Sequence, residues 1–415
     1  MRVKSTILVL LVLSVVFVSF QQIEVVKAQG TIYIRADGTV EGTDKIQRDG
    51  NIYTFTGNII GAIIFEKGGI VIDGNGYTLT GDANNHGFYL NHINDTTIKN
   101  VKIESCKNGF YIRLSFNNTI TGNTVTGNNV GIYLRASKNT LITENNVSFN
   151  DNVGICSKRS ENGIITNNIV KDNGGNGIES GSMENCYLSE NEILNSGLNG
   201  IKMDWASNTT ITENEIQNSA ENGIRVYESR NNTISKNNIE DNKANGIYLQ
   251  TYSFDNLIFL NNITSNSEYG INNNQYSSNN LIHHNNFINN TKQFSTNEWY
   301  AQQWGYGVSN NTIYRNYWTD YNGTDINGDG IGDTPYIIDE NNQDNFPLME
   351  LHILESPPKG PPPPSDPNAW LYSFIGGLSS RLAPLMLIMS IAIVTLVLVL
   401  NHKRKQKLRE KGNFN

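Results

Sequence analysis

The chain contains 415 residues, of which 38% are hydrophobic and 17% are charged, and its formal net charge is −8. A net negative charge argues against a nucleic-acid-binding protein. The three cysteines are an odd number and form no Cys-x-x-Cys pair, so we expect small buried thiols and neither a disulfide framework nor a zinc or copper centre among them.

The N-terminus has the pattern of an export signal. Arg2 and Lys4 precede an apolar run from Ile7 to Phe20, and small residues follow the run. This order predicts a secretory signal peptide over residues 1–28, with an uncleaved anchor helix as the alternative. Nine Asn-x-Ser/Thr sequons agree with export and make the chain a candidate glycoprotein, although an Asn-rich repeat also creates such triplets by chance.

Residues 29–83 contain short runs of alternating apolar and polar residues without a fixed spacing, such as Thr31 to Ile34 and Ile52 to Phe55. Alternation of this kind indicates strands. A repeat follows this region, and the first turn of a repeat array exposes apolar side chains and unpaired backbone. We therefore expect residues 29–83 to form an N-terminal cap and the first coils.

Residues 84–318 carry an internal repeat with two marks. A glycine followed by an apolar residue recurs in steps of 22 to 24 residues at Gly87, Gly109, Gly131, Gly154, Gly177, Gly200, Gly223, Gly246 and Gly270. An asparagine three positions after Ile or Leu keeps the same spacing at Asn123, Asn145, Asn167, Asn191, Asn214, Asn237, Asn261, Asn285 and Asn316. Self-similarity at such a short period is typical of a solenoid.

The repeat has strand character. Runs such as Phe88-Tyr89-Leu90 alternate with period two, and Asn, Gly, Ser and Thr separate the runs. No proline precedes Thr334, so no ladder hydrogen bond is lost to one. The sequence predicts an all-β fold, a parallel β-helix with coils of 22–24 residues that each rise about 4.8 Å. A leucine-rich repeat is the alternative, but it needs several leucines and usually a helix in each unit.

The repeat pattern of residues 31–349 resembles that of a known family. The Gly-Ile-x-Leu and Asn-x-Thr-Ile-x-x-Asn-x-Ile patterns are similar to the right-handed parallel β-helix repeats of carbohydrate-binding proteins and sugar hydrolases, and they resemble the NosD-like family most closely. The segments Ile72 to Leu79 and Asn316 to Leu348 carry the same likeness. The resemblance implies a right-handed parallel β-helix, but a scaffold does not define an activity.

One outward face of the repeat is a candidate ligand surface. The residue after each glycine is expected to point inward, and the next residue outward. The outward positions include Tyr89, Tyr111, Tyr133 and Tyr248, with Arg113 and Arg135 beside them. Aromatic rings flanked by donors suit sugar rings and their acidic substituents, so we expect a polysaccharide or glycan partner here. The alternative is a tyrosine ladder that only stabilises the sheet.

The middle of the same face carries four charged residues: Glu179, Lys202, Asp204 and Arg225. Two carboxyl groups one coil apart allow glycoside hydrolysis, and Lys202 or Arg225 allows a lyase reaction. Alternating charges on neighbouring strands are also ordinary cross-strand ion pairs. The sequence therefore favours a non-catalytic face, with these residues as weak catalytic candidates.

Two further features bear on ligands. The NosD resemblance links His283-His284 to copper-site maturation, but these residues align with polar pairs in other coils, and we expect them to be exposed turn residues. The chain also lacks the Met- and Cys-rich clusters that select Cu(I), so copper is not expected. The segment with Phe294, Trp299, Tyr300, Trp304 and Tyr306 is an insertion, and it predicts either a binding loop or a lid over the last coil.

Residues 319–355 are predicted to form a C-terminal cap that contains an Asp/Asn/Gly loop. The ligand positions 1, 3, 5, 7 and 9 of an EF-hand-like calcium loop fall on Asp325, Asn327, Asp329, Ile331 and Asp333, with Ile331 offering its carbonyl oxygen. Position 12 is Tyr336 instead of an acid, and no helices flank the loop, so a modest Ca²⁺ affinity is expected. The alternative is a turn whose acids are merely solvated.

Beyond the cap, the composition changes. Residues 356–369 hold seven of the ten prolines, which predicts an extended linker. Residues 370–401 are a predicted membrane anchor with an uncharged apolar run over 382–400, followed by a basic tail over 402–415. Positive charge stays on the cytoplasmic side, so we expect a single-pass cell-membrane protein with the β-helix outside.

The sequence therefore favours a membrane-anchored extracellular β-helix that binds carbohydrate or contributes to the cell envelope without catalysis. A polysaccharide lyase or glycoside hydrolase is the first alternative. A NosD-type copper-site maturation factor, which the resemblance implies, is the second. The sequence does not indicate an oligomeric state.

Overall fold

The computed structural model describes residues 30–274, 276–297 and 311–352. The described residues form three long sheets that run side by side, and each coil adds one strand to each sheet in turn. The predicted all-β parallel solenoid is confirmed. Across the described ranges, no helix has the length and apolarity needed to cross a bilayer. The predicted signal peptide, linker, membrane anchor and basic tail, and Trp299 to Tyr306, lie outside these ranges.

Three sheets, named A, B and C here, contain 13, 13 and 12 strands within the described residues. In spatial order, sheet A consists of Val40–Glu41, Ile32–Ile34, Ile63–Phe65, His86–Asn91, Asn108–Arg113, Val130–Arg135, Ile155–Lys158, Ile178–Gly181, Ile201–Asp204, Ile224–Tyr227, Ile247–Gln250, Tyr269–Asn274 and Lys292–Asn297. Sheet B consists of Ile46–Asp49, Ile52–Phe55, Val71–Asp73, Thr97–Lys99, Thr119–Thr121, Leu141–Thr143, Ile164–Thr166, Tyr187–Ser189, Thr210–Thr212, Thr233–Ser235, Leu257–Phe259, Leu281–His283 and Thr312–Tyr314. Sheet C consists of Ile59–Ile60, Thr78–Thr80, Lys102–Glu104, Thr124–Thr126, Asn146–Ser148, Ile169–Lys171, Glu192–Leu194, Glu215–Gln217, Asn238–Glu240, Asn262–Thr264, Asn286–Ile288 and Tyr317–Trp318.

The register of sheet A confirms the predicted inward column. The residues after the repeat glycines pair coil by coil as Phe88, Phe110, Ile132, Ile155, Ile178, Ile201, Ile224, Ile247 and Ile271. Every one of these side chains is fully buried. Full burial of each is worth roughly 1.5–3 kcal/mol, so the column is a main source of stability.

The repeat glycines are required by close packing between coils. A Cβ atom on Gly109 would lie 2.7 Å from both the carbonyl oxygen of Gly131 and Cγ1 of Val125. A Cβ atom on Gly131 would likewise lie 2.6 Å from the carbonyl oxygen of Gly154 and from Cγ1 of Val147. Carbon atoms pack at about 3.5–4.0 Å, so a side chain at this position would push neighbouring coils apart.

The asparagine mark forms a buried ladder through the structure. Asn145 donates from Nδ2 to Oδ1 of Asn168 at 3.0 Å, and also to the carbonyl oxygens of Ile120 and Thr143. The backbone N–H of Asn145 donates to the same Oδ1 of Asn168 at 3.0 Å. The side chain of each ladder asparagine therefore forms hydrogen bonds with backbone groups of its own coil and of the neighbouring coils. Buried polar groups require such partners. The ladder residue of this coil is Asn168 and not Asn167, because Asn167 takes the left-handed turn position (φ 55°).

Left-handed residues make the corners of each coil. In one coil, Leu114, Asn117, Gly122 and Gly127 have φ values of 48°, 56°, 64° and 62°. Asparagine and glycine tolerate this conformation better than other residues do. Asparagine is therefore abundant because it occupies both the ladder and the corners, and glycine because it occupies both the corners and the close contacts between coils.

Both ends of the rod depart from the repeat. At the N-terminal end, Val40–Glu41 and Ile46–Asp49 pair antiparallel with the first strands. At the C-terminal end, Trp318 stacks between Phe287 and Tyr336 at 4.4 and 4.3 Å. The strands Tyr336–Ile337 and Gln343–Asp344 form a short hairpin. The buried carboxylate of Asp344 accepts hydrogen bonds from the backbone N–H of Asn316, the last asparagine of the ladder, and from the indole N–H of Trp318. These contacts cover the last coil.

The three cysteines are free and buried, and burial raises the pKa of Cys106 and Cys156 to about 12 and that of Cys186 to about 11. The expectation of small buried thiols is thus confirmed, although Cys156 is buried on the outer side of sheet A. It belongs to the outward column, where it packs with Val130 and Val153 in a small apolar cluster outside sheet A. The outer surface of the sheet is therefore not entirely solvated.

The ladder can be tested with adjacent asparagines. Asn128→Ala removes four hydrogen bonds made by a buried side chain, including the one that its Oδ1 accepts from the backbone N–H of Cys106. We expect the free energy of unfolding to fall by about 3 kcal/mol. The control is Asn129→Ala, an exposed neighbour, which should change stability by about 0.5 kcal/mol or less. Urea unfolding measures both, and equal small losses would show that the ladder contributes little.

Candidate functional site

The predicted tyrosine column exists on the outer surface of sheet A. Tyr89 pairs with Tyr111, and Tyr111 pairs with Tyr133, in consecutive strands. Adjacent rings are 5.5 Å apart and lie within 3–5° of parallel. All three side chains are half-buried, so their rings form one continuous aromatic surface with an accessible side. We call Tyr89, Tyr111 and Tyr133, together with Arg113 and Arg135, the tyrosine face.

His86 extends the aromatic stack and was not anticipated from the sequence. Its ring lies 4.3 Å from Tyr111 and 5.8 Å from Tyr89, nearly parallel to both. The amide of Asn108 is 3.1 Å from Nδ1. Burial, with a smaller effect of Lys107, lowers the pKa of His86 to about 4. The sequence does contain a signal for this role. His86 stands directly before the repeat glycine Gly87, at a position where most other coils carry Asn or Val.

The two arginines of the tyrosine face carry charges that no carboxylate of the described residues neutralises. Arg113 donates from Nη1 to Oδ1 of Asn91 at 3.3 Å, and Arg135 is exposed. Neither forms a salt bridge with any described residue. They pair directly in register, so two guanidinium groups lie one coil apart beside the tyrosine rings.

The four charged residues in the middle of sheet A neutralise one another or their neighbours. Asp204 lies between Lys202 at 3.1 Å and Arg225 at 2.8 Å. Glu179 forms a salt bridge with Lys158 at 3.3 Å and accepts a hydrogen bond from Asn176 at 2.8 Å. Glu179 and Asp204 are diagonal neighbours on adjacent strands, as their register requires. Both carboxylates are already engaged, as cross-strand ion pairs are.

Tyr248 is separated from the other predicted ligand residues. It pairs with Arg225, several coils from Tyr133, and its hydroxyl accepts a hydrogen bond from Asn274 at 3.0 Å. The structure therefore brings together Tyr89, Tyr111, Tyr133, Arg113 and Arg135, and it places Tyr248 next to the ion-paired group instead.

The Asp/Asn/Gly loop folds around its first acid. Asp325 accepts backbone hydrogen bonds from Gly328 and Gly330 at 2.7 and 2.8 Å, and Asp333 accepts one from Ile326. Asn327 donates from its amide to Asp329 at 3.1 Å. Among the described residues, no three His, Cys, Asp or Glu side chains converge as a metal site requires. The calcium ligands Asp325, Asn327, Asp329, Ile331 and Asp333 stay a prediction.

The expectation that His283 and His284 are exposed turn residues is wrong for His283, whereas His284 does lie at a turn (φ 54°) but is half-buried. His283 belongs to a strand of sheet B, and its ring stacks between Phe259 and Tyr314 at 5.3 and 5.1 Å. Its Nδ1 lies 2.8 Å from Nδ1 of His284. Burial lowers the pKa of both histidines. His283 therefore takes part in packing between coils, because Phe259 and Tyr314 are its register partners in the neighbouring strands.

Comparisons with known proteins agree with this fold. Residues 130–287 match the family described as a right-handed beta helix region, and residues 39–153 match the family described as periplasmic copper-binding protein NosD. Both are right-handed β-helix families, so the predicted resemblance is confirmed. A search of curated protein sequences returned no match to this chain.

Two solved structures share the architecture. The A-module of mannuronan C-5 epimerase AlgE4 from Azotobacter vinelandii has a TM-score of 0.55 and 16% identity, and the match covers 64% of this chain and 85% of that module. The A-module of the same organism's epimerase AlgE6 has a TM-score of 0.53 and 20% identity, with 69% and 87% covered. At these identities the similarity shows the fold alone.

The buried His86 predicts a pH dependence of stability. Its pKa is lowered from 6.5 to about 4 in the folded chain, so the unfolded chain binds the proton more readily. Stability from this residue is fully present above pH 6.5 and is lost as the pH falls from 6.5 toward 4. We expect urea unfolding at pH 7.5 and pH 5 to show a smaller acid-induced loss in His86→Gln than in the wild type. Identical losses would contradict the role assigned to His86.

Proposed function

We propose that this right-handed β-helix protein binds an acidic polysaccharide along the tyrosine face without cleaving it. The observation that carries the proposal is the combination of three parallel tyrosine rings with two guanidinium groups that have no carboxylate partner among the described residues. Elsewhere on sheet A, at Glu179 and Asp204, each carboxylate has a cationic partner. The tyrosine face therefore carries two adjacent positive charges without a counter-charge among the described residues, whereas the middle of sheet A is neutralised.

The chemistry of this surface suits a sugar acid. Tyrosine presents an apolar ring that covers the face of a sugar and a hydroxyl that forms hydrogen bonds. Arginine binds a carboxylate through two parallel N–H donors, and such charge-assisted bonds are about twice as strong as neutral ones. Arg113 and Arg135 repeat at the strand spacing of about 4.8 Å, so consecutive acidic groups of one polymer can each meet a guanidinium.

The fold is compatible with a polysaccharide ligand. Two modules with the same architecture are named as mannuronan C-5 epimerases, so a polysaccharide is the substrate that their names give. Their similarity to this chain concerns the scaffold, and the proposal here rests on this chain's own residues. The ion pairs at Glu179 and Asp204 support a non-catalytic face, because both oxygens of each carboxylate already contact a cation or an amide, as in ordinary cross-strand pairs.

We also propose that Ca²⁺ stabilises the C-terminal cap through the loop from Asp325 to Asp333. The backbone already wraps around Asp325, with Gly328 and Gly330 in the left-handed conformation at φ 74° and 81°. Alternate oxygen side chains on such a loop are the ligands that calcium prefers. Binding to the folded state alone would raise stability by mass action.

Polysaccharide binding by the purified full-length protein tests the main proposal. With polygalacturonate as the probe, the double variant Arg113→Gln/Arg135→Gln should lose about 10- to 100-fold in affinity, because two charge-assisted interactions are removed. Tyr111→Ala should weaken binding as well. Isothermal titration calorimetry provides the measurement.

The matched control for this experiment is Arg315→Gln. Arg315 is exposed and directly follows the last strand of sheet B, far from the tyrosine face. The substitution Arg315→Gln therefore removes a positive charge without changing the proposed site. Its affinity should equal that of the wild type. Wild-type affinity in the double variant, or cleavage of the polymer that Asp204→Asn abolishes, would overturn the proposal.

Thermal unfolding tests the calcium hypothesis. The midpoint of the full-length protein should rise by several degrees in millimolar Ca²⁺ and fall back with EDTA, and Asp329→Ala should abolish the rise because it removes a ligand. Asp241→Ala, a substitution at an exposed turn in the middle of the rod, is the control and should leave the rise intact. A midpoint indifferent to Ca²⁺ would show that the loop is only a turn.

A further inference from the structure

A second polar and aromatic surface lies at the turn between sheets A and B, outside the tyrosine face. It is a groove of about 330 Å³ lined by Trp205, Ala206, Ser207, Glu228, Arg230, Tyr252 and Phe254. Trp205 is 55% exposed and Tyr252 is 48% exposed, so two large aromatic side chains stand in contact with solvent. Side chains of this kind are normally buried, and their exposure on the rim of one groove points to a ligand.

The groove arises from one extra residue in the repeat. Tyr227 pairs with Gln250, and Arg230 pairs with Phe254, so two residues in one coil face three in the next. The surplus pushes Tyr252 outward in a left-handed conformation with φ 51°. The step in the surface that results has Trp205 and Tyr252 on its sides and Glu228 between them.

The aromatic side chains are held in place before any ligand arrives. The indole N–H of Trp205 donates to Oε2 of Glu228 at 3.0 Å, and its ring packs edge-on against Tyr227 at 5.8 Å. Tyr252 stacks on Tyr276 at 5.3 Å. Because these rings are already ordered, a ligand that packs on them does not have to immobilise them, and this lowers the entropic cost of binding.

The polar groups of the groove are one donor set and one acceptor. Arg230 is exposed and forms no salt bridge or side-chain hydrogen bond with the described residues. Glu228 accepts the indole N–H through Oε2 and is also hydrogen-bonded to the hydroxyl of Tyr227, and a carboxylate has lone pairs left to accept a further hydrogen bond from a ligand. A sugar hydroxyl both donates and accepts, so it matches this pair. A sugar carboxylate would instead face the negative charge of Glu228 at close range, which disfavours it.

We propose that this groove binds a neutral pyranose unit of a glycan, packed between Trp205 and Tyr252 and hydrogen-bonded to Glu228 and Arg230. Trp205 and Tyr252 lie two coils apart, which separates their backbones by roughly 10 Å, twice the strand spacing. A ring in contact with carbon atoms on both sides needs roughly 7–8 Å, twice the usual contact distance. The spacing therefore accommodates one sugar ring.

This site is independent of the tyrosine face. Tyr133 and Trp205 belong to coils three steps apart, so they are separated along the rod by roughly 14 Å. The two surfaces also differ in charge, because Arg113 and Arg135 bring two positive charges and no carboxylate, whereas Glu228 and Arg230 together are neutral. Loss of one site should leave the other unchanged.

Isothermal titration calorimetry on the full-length protein, with cellohexaose and mannohexaose as neutral probes and oligogalacturonate as the acidic probe, tests the proposal. At least one neutral probe should bind, and Trp205→Ala and Tyr252→Ala should each lower its affinity at least tenfold. Arg113→Gln/Arg135→Gln should leave neutral binding unchanged while weakening the acidic probe. The matched control is Tyr187→Ala, which removes an exposed tyrosine on sheet B and should have no effect.

Three results would overturn the inference. The first is the absence of binding by both neutral probes at millimolar concentration to protein whose circular dichroism is that of the folded chain. The second is neutral binding that Trp205→Ala and Tyr252→Ala leave intact. The third is self-association of the wild type in sedimentation velocity that Trp205→Ala abolishes, because the groove would then be an interface between copies of this chain.

Discussion

The buried asparagine ladder is the interaction on which the rest of the structure depends. A coil that turns three times within 22 to 24 residues leaves backbone N–H and C=O groups pointing into the interior at each turn, and an unpaired buried group is costly. The side chain of Asn214 satisfies two such carbonyl groups, those of Leu188 and Thr212, and passes the chain of hydrogen bonds on to Asn237. An apolar side chain at this position would remove these hydrogen bonds and would leave no side-chain oxygen to accept the backbone N–H of Asn191.

Uniform coils have a direct consequence for the surface. Because the ladder fixes the same register in every coil, residues one repeat apart lie side by side on sheet A, and identical residue types become stacks. Three tyrosines at this spacing yield three parallel rings, and two arginines yield two adjacent guanidinium groups. Where the repeat gains one residue, as at Tyr252, the surface gains a step instead. Both proposed binding surfaces thus depend on which residues the outer columns hold and on where the period changes.

The sequence predicts the parts of the fold that follow from the alternation of inward and outward side chains along a strand. The inward column from Phe88 to Ile271 and the tyrosine stack were both predictable, because alternation along a strand determines which side chains share a face. Corners follow no such rule. Whether Asn167 or Asn168 enters the ladder depends on which of them takes the left-handed position, and two adjacent asparagines have the same local preference. Contacts across coils, such as His86 on Tyr111, also depend on the register and on the twist of the rings.

Charge compensation divides the outer face of sheet A into two chemically different halves. In the middle, Asp204 is held by both Lys202 and Arg225, so the cost of removing these charges from water is already offset within the protein. Near the N-terminal end, Arg113 and Arg135 have no such partner among the described residues, and their charges attract an anion from solution. An acidic ligand that approaches the middle would have to displace Asp204 from its cations before gaining any contact. At the tyrosine face it breaks no salt bridge with a described residue. The same scaffold, with the same register, therefore favours anion binding at one end because of which side chains are left without a counter-charge.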